Sequence, residues 1–181
     1  NGASKSGGVI QDFFDDSGPL RGIKRDMYEG GTRVPFIAYW PTVIQAGRLS
    51  KHIATHWDLM ATACEIAGVV TPVATDGISY LPLLKGELDQ QTVHTSVYFE
   101  LHWPTRRAVR EGDWVAVQST TSARDPHVNT TELYNLKEDL AQENDLAGDN
   151  LEKLEHLREL LEAAHIPNEH FTFGRGRPNK K

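Results

Sequence analysis

The run Arg106-Arg107-Ala108-Val109-Arg110-Glu111-Gly112-Asp113-Trp114-Val115-Ala116-Val117-Gln118 decides the fold of the second half of the chain. Short strand-like pieces flank Glu111-Gly112-Asp113, where the glycine supplies the backbone freedom a tight hairpin needs. An antiparallel pair is predicted over 106–110 and 114–118. A third such piece at 96–100 precedes it, and a fourth, Glu132-Leu133-Tyr134-Asn135-Leu136, follows it. Further on, Leu151, Leu154, Leu157, Leu160, Leu161 and Ala164 form one apolar stripe at helical spacing, with Asp149 or Asn150 as cap and Pro167 beyond the end. Such a helix must cover something, and the apolar face of the preceding sheet is its natural partner.

Working back toward the start, 91–167 separates from 1–90 at a turn-rich stretch, Asp76-Gly77-Ile78-Ser79-Tyr80-Leu81-Pro82, followed by Gly86 and a polar segment. Within 1–90, Val34-Pro35-Phe36-Ile37-Ala38-Tyr39-Trp40 reads as a buried strand of a central sheet. After it comes a helix in which Leu59, Met60, Ala63, Ile66 and Ala67 share a face, Thr55 and Asp58 form a capping box, and Gly68 closes the end. Strand followed by helix is an α/β pattern. Residues 1–33, dense in glycine, read as loop, and 168–181 as a flexible tail. The expected organisation is therefore an α/β segment at 1–90, a sheet-plus-helix subdomain at 91–167, and the tail.

Composition narrows the function. A formal net charge of -6, from 25 acids against 19 bases, provides no broad cationic surface for a phosphate backbone, so nucleic acid is not expected as a partner. No run approaches the roughly 18 apolar residues of a membrane span, and the first residues lack the apolar stretch of a signal peptide. Cys64, the one cysteine, forms neither an internal disulfide nor a thiolate zinc site by itself.

The run Gly22-Ile23-Lys24-Arg25-Asp26-Met27-Tyr28-Glu29-Gly30-Gly31-Thr32-Arg33-Val34-Pro35 resembles a sulfatase signature, with a lysine five residues before Glu-Gly-Gly and an Arg-x-Pro after it. Other blocks follow in the family's order. They are Asn1-Gly2 as the remnant of a metal motif, Trp57-Asp58-Leu59 opening a helix, Asp76-Gly77 before Leu83-Leu84, Ala108-Val109-Arg110 with Gly112 and Trp114, and Glu132-Leu133-Tyr134-Asn135-Leu136 with Asp139, Glu143 and Asn144. Ala61 and Leu140 depart from it, each standing where relatives carry proline. The resemblance covers 1 to about 165 and implies the carboxy-terminal part of an alkaline-phosphatase-like sulfatase fold, followed by a four-stranded antiparallel sheet packed on a C-terminal helix.

By the same resemblance, Lys24 is the catalytic residue that touches both a sulfate oxygen and the bridging oxygen of the ester, where a fixed cation balances growing charge. Asn1 would be a ligand of calcium, a hard cation that needs several further oxygen donors. Glu29 and Arg33 would pair beneath the glycine turn and hold Lys24 in place. His102, Trp103 and Arg106 occupy a segment that relatives lay against the substrate pocket, and would contact a sulfate-ester small molecule or a sulfated glycan. The family nucleophile is a formylglycine made from cysteine or serine in a Cys/Ser-x-Pro/Ala-x-Arg motif. Cys64, in a helix interior with no arginine nearby, does not supply it, and the nucleophile is expected in an amino-terminal half missing from this chain. Calcium would belong to the complete enzyme, and this piece alone would be inactive. A non-catalytic interaction module and a fragment of a phosphodiesterase or phosphonate hydrolase of the same superfamily are the competing readings. Periplasmic or secreted localisation, and self-association through an exposed sheet edge, complete the expectations.

Overall fold

The computed structural model describes residues 2–5, 11–72, 75–101, 105–120 and 129–167. Its α-helices and strands in chain order are α1 (Gln11–Phe14), α2 (Glu29–Thr32), α3 (Asp58–Ala67), α4 (Leu81–Lys85), β1 (Val97–Leu101), β2 (Arg106–Glu111), β3 (Trp114–Thr120), β4 (Asn129–Asn135) and α5 (Leu151–Ala164). They fall into two compact units. One draws on the described residues of Asn1–Val34 and Ser96–Lys181, the other on those of Pro35–Thr95.

In the first unit, β1 to β4 form a four-stranded antiparallel meander in sequence order. The hairpin predicted at Glu111-Gly112-Asp113 closes on the pair Glu111 and Trp114. Gly112 takes a φ of 59°, the left-handed conformation that a two-residue turn requires. The period-two alternation of a strand then sorts the side chains. Val109, Ala116 and Leu133 face α5, meeting Leu154, Leu157 and Leu161 in one core cluster. Ala108, Val115, Val117 and Tyr134 face the other way, onto Met27 and Leu136. Each fully buried leucine of α5 contributes roughly 1.5–3 kcal/mol by leaving water. Arg107, buried on the helix side, locks the end of α5. It donates to Gln118 Oε1 at 2.7 Å and to the Leu161 carbonyl at 3.2 Å, and pairs with Glu162. A mixed α/β fold with an antiparallel sheet on a C-terminal helix is thus as the sequence predicts, with strand ends moved by one to three residues. The tail at 168–181 lies outside the described residues.

In the second unit two expectations are corrected. Residues 34–40 are not a strand: the segment joins no ladder among the described residues, and Phe36, Ile37 and Tyr39 are 65%, 90% and 88% exposed. An apolar run takes strand form only beside a neighbouring strand, because its backbone N–H and C=O groups need partners. Helix α3 is also rotated from the expected orientation. Leu59, Met60 and Ile66 are exposed, whereas Asp58, Ala61 and Thr62 are buried.

The rotation of α3 follows from the hydrogen bonds of its first turn. The buried Asp58 carboxylate accepts from the Thr55 N–H at 2.6 Å, the Ile78 N–H at 2.9 Å and His94 Nε2 at 2.9 Å. The first of these is the carboxylate half of the predicted capping box. Thr62 Oγ1 donates to the Asp58 carbonyl at 2.8 Å and accepts from the Tyr80 N–H at 3.0 Å. Turning Asp58 outward would strand those donors, which costs more than exposing aliphatic side chains. Gly68 closes the helix with a φ of 67°, as predicted.

Burial alone would raise the pKa of Asp58, but the N–H groups of Ile78 and Thr55, together with His94, outweigh it and bring it below the ordinary carboxylate value. A carboxyl shifted down on folding stabilises the fold above its unfolded pKa, and that stability is lost as pH falls through the folded value. Thermal unfolding of the chain should therefore show an acid limb below about pH 4. Asp58→Asn should flatten that limb and cost about 2 kcal/mol at neutral pH. An unchanged acid limb in the variant would assign the titration to another group.

Candidate functional site

The glycine-rich segment 20–33 is a tight turn built from backbone contacts. Asp26 closes its tip: the Asp26 N–H donates to the Ile23 carbonyl at 2.8 Å, and its carboxylate accepts from the Ile23 N–H at 3.0 Å. Lys24 and Arg25 stand at that tip. Arg25 takes a φ of 81°, a left-handed conformation costing a non-glycine residue on the order of 1–3 kcal/mol, which persists only where the surroundings impose it. The Gly30 N–H donates to the Arg21 carbonyl at 2.8 Å. A Cβ on Gly30 would lie 2.3 Å from the Gly22 carbonyl oxygen, and one on Gly31 would lie 2.1 Å from that of Asp26. Glycine is required at both because main chain meets main chain.

The start of the chain packs onto the same turn. The Gly2 N–H donates to the Gly31 carbonyl at 2.9 Å, and the Lys24 N–H donates to the Ala3 carbonyl at 2.7 Å. Residues far apart in sequence, 2–3 and 24–31, are thereby held side by side. The Lys24 side chain is exposed. The acids of the turn itself are committed elsewhere: Asp26 pairs with Arg106, while Glu29 pairs with Arg33 at 2.9 Å and lies 3.6 Å from Arg110. Among the described residues no carboxylate pairs with Lys24, so its ammonium remains available to an anion. A cleft of about 250 Å³ lined by Lys5, Asp15, Asp16, Ser17, Leu20, Gly22 and Ile23 opens against the turn.

A clamp fixes the turn to the open face of the sheet. The Arg21 guanidinium lies 3.9 Å from the centroid of the Tyr28 ring and 5.8 Å from that of Tyr134. It donates to Tyr134 OH at 2.7 Å, to the Gln142 carbonyl at 3.0 Å and to Tyr28 OH at 3.1 Å. Tyr28 OH donates to Glu132. Gln142 Oε1 accepts from the Glu29 N–H at 2.7 Å, and Met27 enters the sheet's core cluster. Burial, reinforced by the nearby Glu132, pushes both phenols up, Tyr134 to about 12. Both stay protonated across the physiological range.

The turn and the sheet together gather four of the expected site residues: Lys24 at the tip, Glu29 and Arg33 as an ion pair with Glu29 buried, and Arg106 bonded to Asp26. Asn1, His102 and Trp103 lie outside the described residues. Arg21, Tyr28, Tyr134 and Gln142 were not foreseen, although Tyr28 and Tyr134 both stand in the blocks that carry the resemblance. His94, given no role from sequence, partners Asp58.

The expectation that the nucleophile motif is absent needs one correction, because Ser17-Gly18-Pro19-Leu20-Arg21 fits the bare Ser-x-Pro-x-Arg spacing. In the structure, however, Ser17 Oγ donates to the Gly22 carbonyl at 3.2 Å and Arg21 is spent on the clamp. This run is a turn. As for calcium, among the described residues no group of three or more His, Cys, Asp or Glu is arranged to hold a metal ion. These residues do not by themselves fit a calcium site.

Comparison with known proteins bears on the whole assembly. A family model described as "N-sulphoglucosamine sulphohydrolase, C-terminal" matches residues 22–165. The Delta 4,5-hexuronate-2-O-sulfatase of Bacteroides thetaiotaomicron is 32% identical over 145 residues, covering 78% of this chain and 30% of that protein. The solved structure of Ps i-CgsB with k-i-k-neocarrahexaose superposes with a TM-score of 0.69 at 23% identity, covering 87% of this chain and 34% of that one. The solved structure of BT4656 with its substrate, D-glucosamine-2-N,6-O-disulfate, has a TM-score of 0.56 at 23% identity, covering 68% of this chain and 26% of that one. At these identities the two structures speak for the fold. The chain spans 30% or less of the length of the first curated relatives it matches.

Proposed function

The chain belongs to the sulfatase family, in its carboxy-terminal portion, and from that premise we propose that it forms one wall of the active site of a sulfate-ester hydrolase. The observation that carries this reading is Lys24: exposed, unpaired with any described carboxylate, and set at the tip of a turn held on three sides by backbone and sheet contacts. An ammonium so placed would bind a sulfate oxygen and the ester's bridging oxygen, and would stabilise the charge that develops as the sulfur–oxygen bond breaks. Glu29 and Arg33 would hold the turn that presents it. His102, Trp103 and Arg106, the last bonded to Asp26 of the turn, would contact the substrate from the rim.

The nucleophile and most metal ligands would come from an amino-terminal portion, in keeping with relatives about three times as long. Calcium, in this reading, is bound by the complete enzyme, with Asn1 as one oxygen donor. In the complete enzyme, 1–90 would complete the α/β catalytic domain, 91–167 would form the sheet-plus-helix subdomain, and 168–181 the tail. Exposed Phe36, Ile37, Tyr39, Leu59, Met60 and Ile66 support an apolar surface that further protein covers. A sulfated glycan is the favoured substrate class, since relatives and neighbours include proteins named for sulfated sugars. Export to a periplasmic or extracellular space is part of the same reading, as the family resemblance implies. Among the described residues no helix is long and apolar enough to cross a membrane.

The test uses the 181-residue chain itself. With p-nitrophenyl sulfate it should show no turnover above a Ser17→Ala control, and light scattering should show self-association, through the uncovered apolar surface in place of the sheet edge expected at 34–40, which is not a strand. Turnover abolished by Ser17→Ala would place the nucleophile in this chain, and a catalytically silent but monodisperse monomer would favour a stand-alone interaction module.

A further inference from the structure

Resting on the reading of Lys24 above, we propose that Arg21 is a positioning residue for the sulfate-binding lysine, transmitting the geometry of the β-sheet to the turn that carries it. Arg21 joins three separate parts of the chain. Its guanidinium reaches Tyr134 on β4 and the carbonyl of Gln142 in the loop after it, and stacks on Tyr28 at 3.9 Å within the signature turn. The Tyr28 and Tyr134 rings meet edge to face at 6.3 Å, so the cation fills the angle between them. Its own carbonyl accepts from the Gly30 N–H at 2.8 Å. The side chain is thus anchored on the sheet, and the main chain fixes one leg of the turn whose tip is Lys24, three residues on. Ala3, accepting from the Lys24 N–H, fixes the tip from the other side.

Arginine suits this position for a stated reason. A planar fork with five N–H donors can serve three acceptors while its face lies on a ring, whereas a lysine keeps the charge as a single point and loses the fork. Arg21→Lys therefore retains charge and changes geometry. A misplacement of about 1 Å in a group that contacts the transition state costs up to about a hundredfold in rate.

The experiment is a double-mutant cycle in the full-length enzyme with p-nitrophenyl sulfate. Arg21→Lys should lower kcat/KM by roughly tenfold to a hundredfold in the presence of Lys24. In the Lys24→Ala background the same change should do less than about twofold, because coupled residues are not additive. Tyr134→Phe, which removes one acceptor and keeps the ring, should move in the same direction by a smaller factor, and it serves if Arg21→Lys fails to fold. Amide exchange at Lys24 and Gly30 should accelerate in either variant while the amides of β3 stay protected. Equal losses of rate in both backgrounds would make Arg21 merely structural and overturn the inference, as would an unchanged rate in both variants. A full rate in Lys24→Ala alone would sink the Lys24 reading itself, a result distinct from either.

Discussion

Lys24→Ala is expected to slow sulfate-ester turnover by the full-length enzyme about a hundredfold, on the order of 3 kcal/mol of transition-state stabilisation, and to leave Tm nearly unchanged. Both halves follow from the same geometry. The ammonium has no carboxylate partner among the described residues and the side chain is exposed, so its removal takes little from the folded state. What holds the turn is the Lys24 N–H on the Ala3 carbonyl, which alanine keeps. The charge therefore matters only where an anion is present, and most where negative charge grows on a leaving oxygen. Steady-state kinetics with an aryl sulfate, beside a thermal melt, check the prediction. A variant with full rate and a depressed Tm would make Lys24 a structural residue and remove the chemical basis of the proposed function.

Gly30→Ala should be strongly destabilising, costing on the order of 3 kcal/mol or more. The added methyl would lie 2.3, 2.6 and 2.8 Å from the carbonyl oxygens of Gly22, Arg21 and Leu20. All three are main chain, so no rotamer change relieves the overlap, and the turn has to open. Opening it withdraws Met27 from the core and breaks the Gly30 to Arg21 hydrogen bond. For a protein of this size the loss corresponds to a fall in Tm of roughly 10 °C. Gly148→Ala is the matched control, since a Cβ there meets nothing within 4 Å, and should change stability by less than about 0.5 kcal/mol. Calorimetry on the two variants gives the comparison, and similar melts would refute the close packing of the turn.

Much of the fold was legible because its signals are local. The hairpin is announced by a glycine between two strand-like runs, and α5 by leucines at helical spacing, with burial of Leu154, Leu157 and Leu161 as the stripe implies. Glu29 and Arg33 are four residues apart across one helical turn, so their pairing was also foreseeable. The orientation of α3 was not. Its apolar stripe pointed to one answer, and the hydrogen bonds of Asp58 with Thr55, Ile78 and His94, reaching up to 36 residues along the chain, imposed another. The clamp was hidden for the same reason, since Arg21 and Gln142 lie 121 residues apart.

Sequence alone determined which segments are strand, helix and turn in the second half, where glycine is needed, and that Lys24 heads a sulfatase-like signature. Those properties depend on neighbours within a few residues, where backbone sterics and side-chain period act directly. Tertiary structure alone decided that the signature turn lies on the face of the sheet opposite α5, that Arg21 links the two, and that Asp58 rather than Leu59 turns inward. Each of these depends on a polar group finding a partner distant in sequence, and a buried donor or acceptor must have its partner wherever the chain supplies one.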